Sequence, residues 1–144
     1  MTVLIDSNVM IDFLKNSKPA IKQIKNYISQ KIPLFISTIS IYEVYLGIVA
    51  NLYLKKGIPA KVPELLSIYD SFLSNCGILN FNRQAAEKAA DIYAQSQGKG
   101  ISIKENDCQI AGIALAYGIT EVFTRDEQDF LKISKITGLK FISY

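Results

Sequence analysis

The sequence predicts an α/β fold: a three-layer α/β/α sandwich around a central parallel sheet. Three observations carry that expectation. Short runs rich in β-branched and aromatic residues alternate, from one end of the chain to the other, with longer stretches whose apolar residues recur at helical spacing. The chain has 144 residues, 49% of them hydrophobic and 20% charged, which fits the core of one domain and leaves little room for a second. No internal repeat, low-complexity tract or linker interrupts the alternation, so residues 1–144 are read as a single domain.

In order, "TVLID" reads as a strand with Asp6 at its C-terminal edge, and "SNVMIDFLKNS" as a helix carrying Val9, Met10, Phe13 and Leu14. Residues 20–30 read as a second helix with Ile21, Ile24 and Ile28 on its apolar face. "PLFIST" is the second strand. The long helix "ISIYEVYLGIVANLYLKK" follows, with Ile41, Val44, Tyr45, Ile48 and Leu52 at core spacing. After the break "GIPAKVP" comes the helix "ELLSIYDSFLSN", then the strand "GILNF". Asn82 caps a helix running through Ala86, Ala89, Ala90 and Tyr93 to Gln97, which the glycines of "GKG" interrupt. A helix from about residue 104 to 117 is stopped by Gly118. "EVFT", the short helix "DEQDFLKI" and the strand "LKFISY" complete the chain.

Composition excludes several chemistries. The chain has no histidine, which removes Ser-His and Cys-His nucleophile pairs, histidine-ligated zinc and imidazole acid–base catalysis together. Cys76 and Cys108 are far apart and form no CxxC, so neither a disulfide framework nor a zinc cluster is expected. The inferred setting is reducing and cytoplasmic. No apolar run approaches bilayer-spanning length, the N-terminal residues lack the basic start of a signal peptide, and no membrane partner is expected. The net charge of +3 is unevenly spread. Residues 13–63 hold eight lysines against the single acid Glu43. Such a stretch, including Lys22, Lys25 and Lys31, is either a solvated helix face or a surface for a polyanion.

The acids fall at informative places. In doubly wound folds ligands sit beyond the C-terminal ends of the parallel strands. Asp6 ends the first strand, Glu43 lies just past the second, Asp126 follows the fourth with Asp129 nearby, and Asp107 opens the helix "ENDCQIAGIALAYG". Each has an ordinary structural role open to it. Asp6 and Asp126 precede helices they could cap, Ser40 and Glu43 form an S-x-x-E capping box, and Asp107 suits a helix's first turn. Their combination is harder to assign to structure. Carboxylates meeting at one edge repel unless a cation lies among them. All-oxygen ligation points to a hard ion, Mg²⁺ or Mn²⁺, which activates water for phosphodiester cleavage without imidazole.

The blocks "VLIDSNVMIDFL", "ISTISIYEVYLG", "ISIKENDCQIAGIALAYG" and "VFTRDEQDF" resemble, in order and spacing, the signature blocks of PIN domains, and among these the VapC-type toxins of toxin–antitoxin pairs. The resemblance implies a Mg²⁺- or Mn²⁺-dependent endoribonuclease that cuts structured RNA and blocks translation. It also implies homodimerisation and silencing by a VapB-type antitoxin. Carried over by position, Asp6, Asp107 and Asp126 would hold the metal, and Glu43 would orient or deprotonate the attacking water. Ser7 and Thr124 match supporting hydroxyl positions, and Asn8 a position that ties the first loop together. Asp126 stands where relatives often have Asn, so Asp129 is a further candidate ligand. Glu105 stands where Asp is frequent, and its side chain either reaches the metal or faces solvent. The exposed apolar surface for an antitoxin would include the helix bearing Tyr42, Tyr45 and Tyr53, unless these residues are core. Two other readings stand beside this one: a PIN-like module that grips RNA or protein without cutting, and an aspartyl-phosphate phosphatase or receiver. The last lacks a second Asp in "IDSN" and a lysine after "VFT".

Overall fold

The five apolar runs all become strands, and every pairing between them is parallel. The computed structural model describes residues 1–144. The strands are β1 (Val3–Ile5), β2 (Leu34–Ser37), β3 (Gly77–Leu79), β4 (Glu121–Phe123) and β5 (Lys140–Ile142), in the spatial order β3-β2-β1-β4-β5. Val3 pairs with Leu34 on one side and with Glu121 on the other. β1 is therefore central, and its three residues are fully buried, as a strand covered on both faces requires.

α1 (Ser7–Leu14) and α2 (Lys18–Ser29) connect β1 to β2, and α3 (Thr38–Tyr53) and α4 (Val62–Leu73) connect β2 to β3. α5 (Arg83–Gly98) and α6 (Glu105–Ala116) then carry the chain back across the sheet to β4, and α7 (Glu127–Thr137) leads to β5. Successive right-handed crossovers in opposite directions place α1–α4 on one face and α5–α7 on the other. Strand alternation follows suit. Val3, Ile5, Ile36 and Phe123 pack with Met10, Ile24, Val44 and Phe72, whereas Leu4 and Val122 pack with Ile92, Ile110, Ile113 and Phe130. Each such buried side chain contributes about 1.5–3 kcal/mol. No helix is long and apolar enough to cross a membrane.

Several boundaries and faces differ from expectation. α1 stops at Leu14 because Asn16 adopts a left-handed backbone (φ 62°), which Asn tolerates and which ends a helix. α7 runs past residue 133 to Thr137, where Gly138 (φ 76°) supplies the left-handed cap. α2 buries Ala20, Ile24 and Tyr27, and leaves Ile28 48% exposed. The helix is rotated so that the Tyr27 ring meets Phe123 edge-on, with centroids 5.8 Å apart. On α3 the buried positions are Ser40, Val44 and Ile48; Tyr42 and Tyr53 are 68% and 81% exposed, and Tyr45 and Leu52 are both 45% exposed. Helical spacing alone does not say how wide the buried stripe is, and α3 at the flank of the sandwich buries a narrow one.

Candidate functional site

The strand order reverses between β1 and β4, which opens a crevice beyond their C-terminal ends. Asp6 follows the last residue of β1, and Thr124 to Asp126 follow the last residue of β4. The two loops are stitched together. The Asp6 backbone N–H donates to Phe123 O at 3.0 Å, and the Arg125 N–H donates to Asn8 Oδ1 at 3.0 Å. Asn8 thus ties the first loop to the β4 loop.

Asp6 is 3% exposed. Its Oδ1 accepts the Ser7 N–H at 2.7 Å, which caps α1, and its Oδ2 accepts the Thr124 hydroxyl at 2.8 Å. The same Thr124 Oγ1 accepts the Asp126 N–H at 2.9 Å, so one hydroxyl bridges two acids. Burial pushes the Asp6 carboxyl up to about 6, against its two hydrogen bonds and with help from the charges of Glu43 and Asp126. Beneath it, Ser7 donates to Ser40 Oγ at 2.9 Å, and Ser37 to the same oxygen at 3.3 Å.

That serine triad corrects the capping-box reading of Ser40 and Glu43. The N-cap of α3 is Ser37, whose Oγ accepts the Ser40 N–H at 3.1 Å. The helix begins earlier than the box requires, because β2 ends on a serine that caps directly. Glu43 then lies in the second turn with no capping task. Its Oε1 is buried without a hydrogen-bond partner.

Asp107, Asp126 and Asp129 form the tight centre: each offers a carboxylate oxygen lying within 4.8 Å of the others. Asp126 caps α7, its Oδ1 accepting the Asp129 N–H at 3.2 Å. Asp107 comes from the first turn of α6, is 3% exposed, and leaves Oδ2 buried and unpaired. Burial, reinforced by Asp126, Asp6 and Asp129, pushes the Asp107 carboxyl up to about 9. Burial also acts to raise Asp126, but the bonds from Asp107 and Lys104 outweigh it and hold that carboxylate below its usual value. Two neighbouring acids, one holding a proton and one ionised, are what crowding without a cation produces.

The donor chemistry fits a hard divalent cation: every candidate ligand is a carboxylate oxygen, and the Asp107 and Glu43 oxygens have no protein partner to displace. The Cys108 thiol, one residue from Asp107, is no soft alternative, since burial and the surrounding acids push it up to about 11.

The expected site residues thus divide. Asp107, Asp126 and Asp129 meet; Asp6 joins them across Thr124, and Glu43 bears on Asp6 through its charge. Ser7, Asn8 and Thr124 support the loops. Glu105 does not join the cluster: it is exposed and lines a separate cleft with Phe81, Tyr93 and Gln109. Two residues along an α-helix rotate by about 200°, so with Asp107 turned inward Glu105 faces outward. Lys22 and Lys25 are exposed on α2. Lys31, just before β2, lies at the sheet edge opposite the acids, because parallel strands put all their starts on one side.

Two groups went unread in the sequence. Lys104 N–H donates to Asp129 Oδ2 at 3.0 Å while its Nζ donates to Asp126 Oδ2 at 2.9 Å. Asp12, buried in α1, accepts Arg125 Nη1 at 2.6 Å and the Tyr144 hydroxyl at 2.7 Å, which anchors the β4 loop from outside. For Asp12 a signal existed, since an acid within "VMIDFL" needs a partner if the helix is buried.

The shifts of Asp6 and Asp107 fix the sign of a pH effect. Unfolded, both lose their protons near 3.8; folded, they keep them to about 6 and about 9. Between those limits the folded state binds more protons, so its stability falls as pH rises. Metal-free protein is expected to melt at progressively lower temperature from pH 5 to pH 9, and millimolar Mg²⁺ or Mn²⁺ to restore most of the loss at the alkaline end. A flat melting curve with and without metal, measured by circular dichroism, is the contrary result.

The family model of the PIN domain matches residues 3–136. Among solved structures, the chain is similar to a chain of VapBC2 from Rickettsia felis bound to a DNA fragment from their promoter, with TM-score 0.80 and 21% identity, covering 100% of this chain and 99% of that one. It is similar to DNA-bound VapBC from Salmonella typhimurium (TM-score 0.77, 24% identity, 99% and 98% covered). It is likewise similar to a toxin–antitoxin complex from Klebsiella pneumoniae (TM-score 0.70, 22% identity, 99% and 97% covered). Comparison with curated proteins gives no match. With its parallel sheet, its acid-lined switch crevice and a family match spanning nearly the whole chain, this protein belongs to the PIN domain family.

Proposed function

We propose that this chain is a metal-dependent endoribonuclease, the toxin of a toxin–antitoxin pair, working in the cytoplasm as one domain and as a homodimer. The observation that carries the reading is the convergence of Asp6, Asp107, Asp126 and Asp129 at one crevice, with the Asp107 Oδ2 buried and unpaired among them. Asp6, Asp107 and Asp126 would hold Mg²⁺ or Mn²⁺, with Asp129 as the fourth acid. Bound there, such an ion would supply charge neutralisation at the scissile phosphate and lower the pKa of a water. Glu43, with Oε1 free of other hydrogen bonds, would orient the attacking water and accept its proton. Thr124 and Ser7 keep Asp6 aimed through hydrogen bonds of 2.8 and 2.7 Å.

Partners follow from charge and exposed surface. Lys22 and Lys25 are exposed and suit an RNA backbone; Lys31, at the far edge, is left out of that role. The similar solved structures are toxin–antitoxin assemblies, and the exposed Tyr42, Tyr45 and Tyr53 of α3 offer apolar surface for an antitoxin segment.

Incubating purified protein with transfer and ribosomal RNA and Mn²⁺ is the direct test. Discrete fragments are expected, halted by chelator and restored by added metal. RNA that is retained but stays uncut would replace this reading with a non-catalytic binding module. Reversing the charge of Lys22 and Lys25 is expected to lower the salt dependence of RNA binding by about 0.7 log units per lost phosphate contact.

A further inference from the structure

Lys104 is the N-cap residue of α6, yet it makes no side-chain cap. Its two nitrogens instead reach two different acids of the cluster. The backbone N–H holds Asp129 Oδ2 at 3.0 Å, and the ammonium holds Asp126 Oδ2 at 2.9 Å. The two contacts differ in kind. The first is part of the chain's path into α6. The second is made by a flexible side chain that is 69% exposed, over a carboxylate only 16% exposed. The ammonium therefore approaches from solvent, on the open side of the crevice.

The other charges around the centre do not duplicate it. Lys132 stands 3.9 Å from Asp129 Oδ1 and gives its own hydrogen bond to Ser102 O at 2.9 Å. Arg125 is engaged by Asp12. Lys104 is the cation that sits directly on a carboxylate of the Asp107–Asp126–Asp129 group at hydrogen-bond distance.

We infer that Lys104 is a tethered counter-ion that occupies Asp126 Oδ2 and must give it up when a divalent ion enters. One carboxylate oxygen cannot give its charge at full strength to an ammonium 2.9 Å away and to a metal ion at bonding distance. The side chain's exposure lets it withdraw into water with little packing lost. Lys104 then sets the metal affinity of the cluster: it lowers it by competition, and it keeps the metal-free acids from forcing their loops apart. The inference rests on the reading of the cluster as a divalent-ion site.

The test is Mn²⁺ binding to the full chain, followed by electron paramagnetic resonance of the free ion. Lys104→Met is expected to bind Mn²⁺ about 3- to 10-fold more tightly at low salt, with the gain shrinking as salt screens the ammonium. In the Asp126→Asn background the same substitution is expected to change affinity by less than about 1.5-fold, because the contested charge is gone. Lys104→Arg, which keeps the competitor, is expected to stay near the wild-type value or below it, and circular dichroism of each variant reports folding independently. Unchanged or weaker binding by Lys104→Met, with wild-type binding intact, overturns the inference and leaves the metal site standing. A gain that persists undiminished in Asp126→Asn also overturns it, reducing Lys104 to a general field. If no chain binds Mn²⁺ at millimolar concentration, the metal reading and this inference fail together.

Discussion

Asp107→Asn is expected to lower metal-dependent RNA cleavage by about 10²- to 10³-fold while leaving the fold intact. The reasons are separable. Of the three grouped acids, Asp107 is the one that leaves a carboxylate oxygen buried and unpaired, open to a cation. Without metal its carboxyl is pushed up to about 9 by burial and by the neighbouring acids, which favours the protonated form. Asn has nearly the same shape as that protonated form. The metal-free variant is therefore expected to melt no lower than the wild type at pH 8, with a shallower fall toward pH 9. The stabilisation by Mn²⁺ should be lost. A site that sacrifices stability for function shows this pairing of lost activity with retained or improved stability. Cleavage at near wild-type rate would remove Asp107 from the site, and a variant that fails to fold would show that its oxygen has a structural partner after all.

Gly112→Ala is expected to cost substantial stability although it adds only one carbon. Gly112 lies in α6 where that helix crosses α5. A Cβ there would stand 2.5 Å from Ala85 O, 2.8 Å from Ala89 N and 2.9 Å from Ala89 Cβ. Two of the three neighbours are backbone atoms of a helix, which cannot swing aside as a side chain would. Relief requires α5 and α6 to separate, and overpacking of this kind costs about 2–3 kcal/mol, or about 6–12 °C in melting temperature at this chain length. The consequence reaches the site, since α6 also carries Asp107. Mn²⁺ affinity is expected to drop in the fraction that stays folded, although residue 112 touches no carboxylate. A melting temperature within a degree or two of wild type would mean that the helices part freely. By contrast, Gly98→Ala, where an added Cβ meets nothing within 4 Å, serves as the neutral control.

Asp107 was recognisable as a candidate from its place at the start of a helix and from the block "ENDCQIAGIALAYG". The demand on Gly112 was not, because a glycine in a helix carries no local sign of what crosses it. The same division runs through the site. Asp6, Asp126 and Glu43 were legible because strand ends can be located from apolar runs, and acids at strand ends are countable. Asp129, a further candidate ligand in the sequence, is one of the three grouped acids. Its place depends on α7 being capped by Asp126, which turns residue 129 inward. Glu105, two residues from Asp107 on α6, faces the other way because two residues rotate a helix by about 200°.

Lys104 and the Asp12–Arg125–Tyr144 network had no readable spacing. Their partners are separated by 22, 113 and 132 residues along the chain. Faces within helices were also only partly legible. The apolar periodicity of α2 is satisfied by two adjacent stripes, and the contact of Tyr27 with Phe123 selects the one containing Ala20 and Ile24.

Local chemistry in the chain determined the strands, the helices, their alternation and hence a parallel sheet, together with the set of acids available to one edge of it. Those features depend on residues within a turn or two of one another, where side-chain size, branching and capping decide conformation. The tertiary structure decided which acids share a centre, which lysine lies over it and which exposed tyrosines remain uncovered. These depend on helix rotation and crossover order, quantities set by the packing of surfaces remote in sequence, for which no short stretch of residues carries the energy.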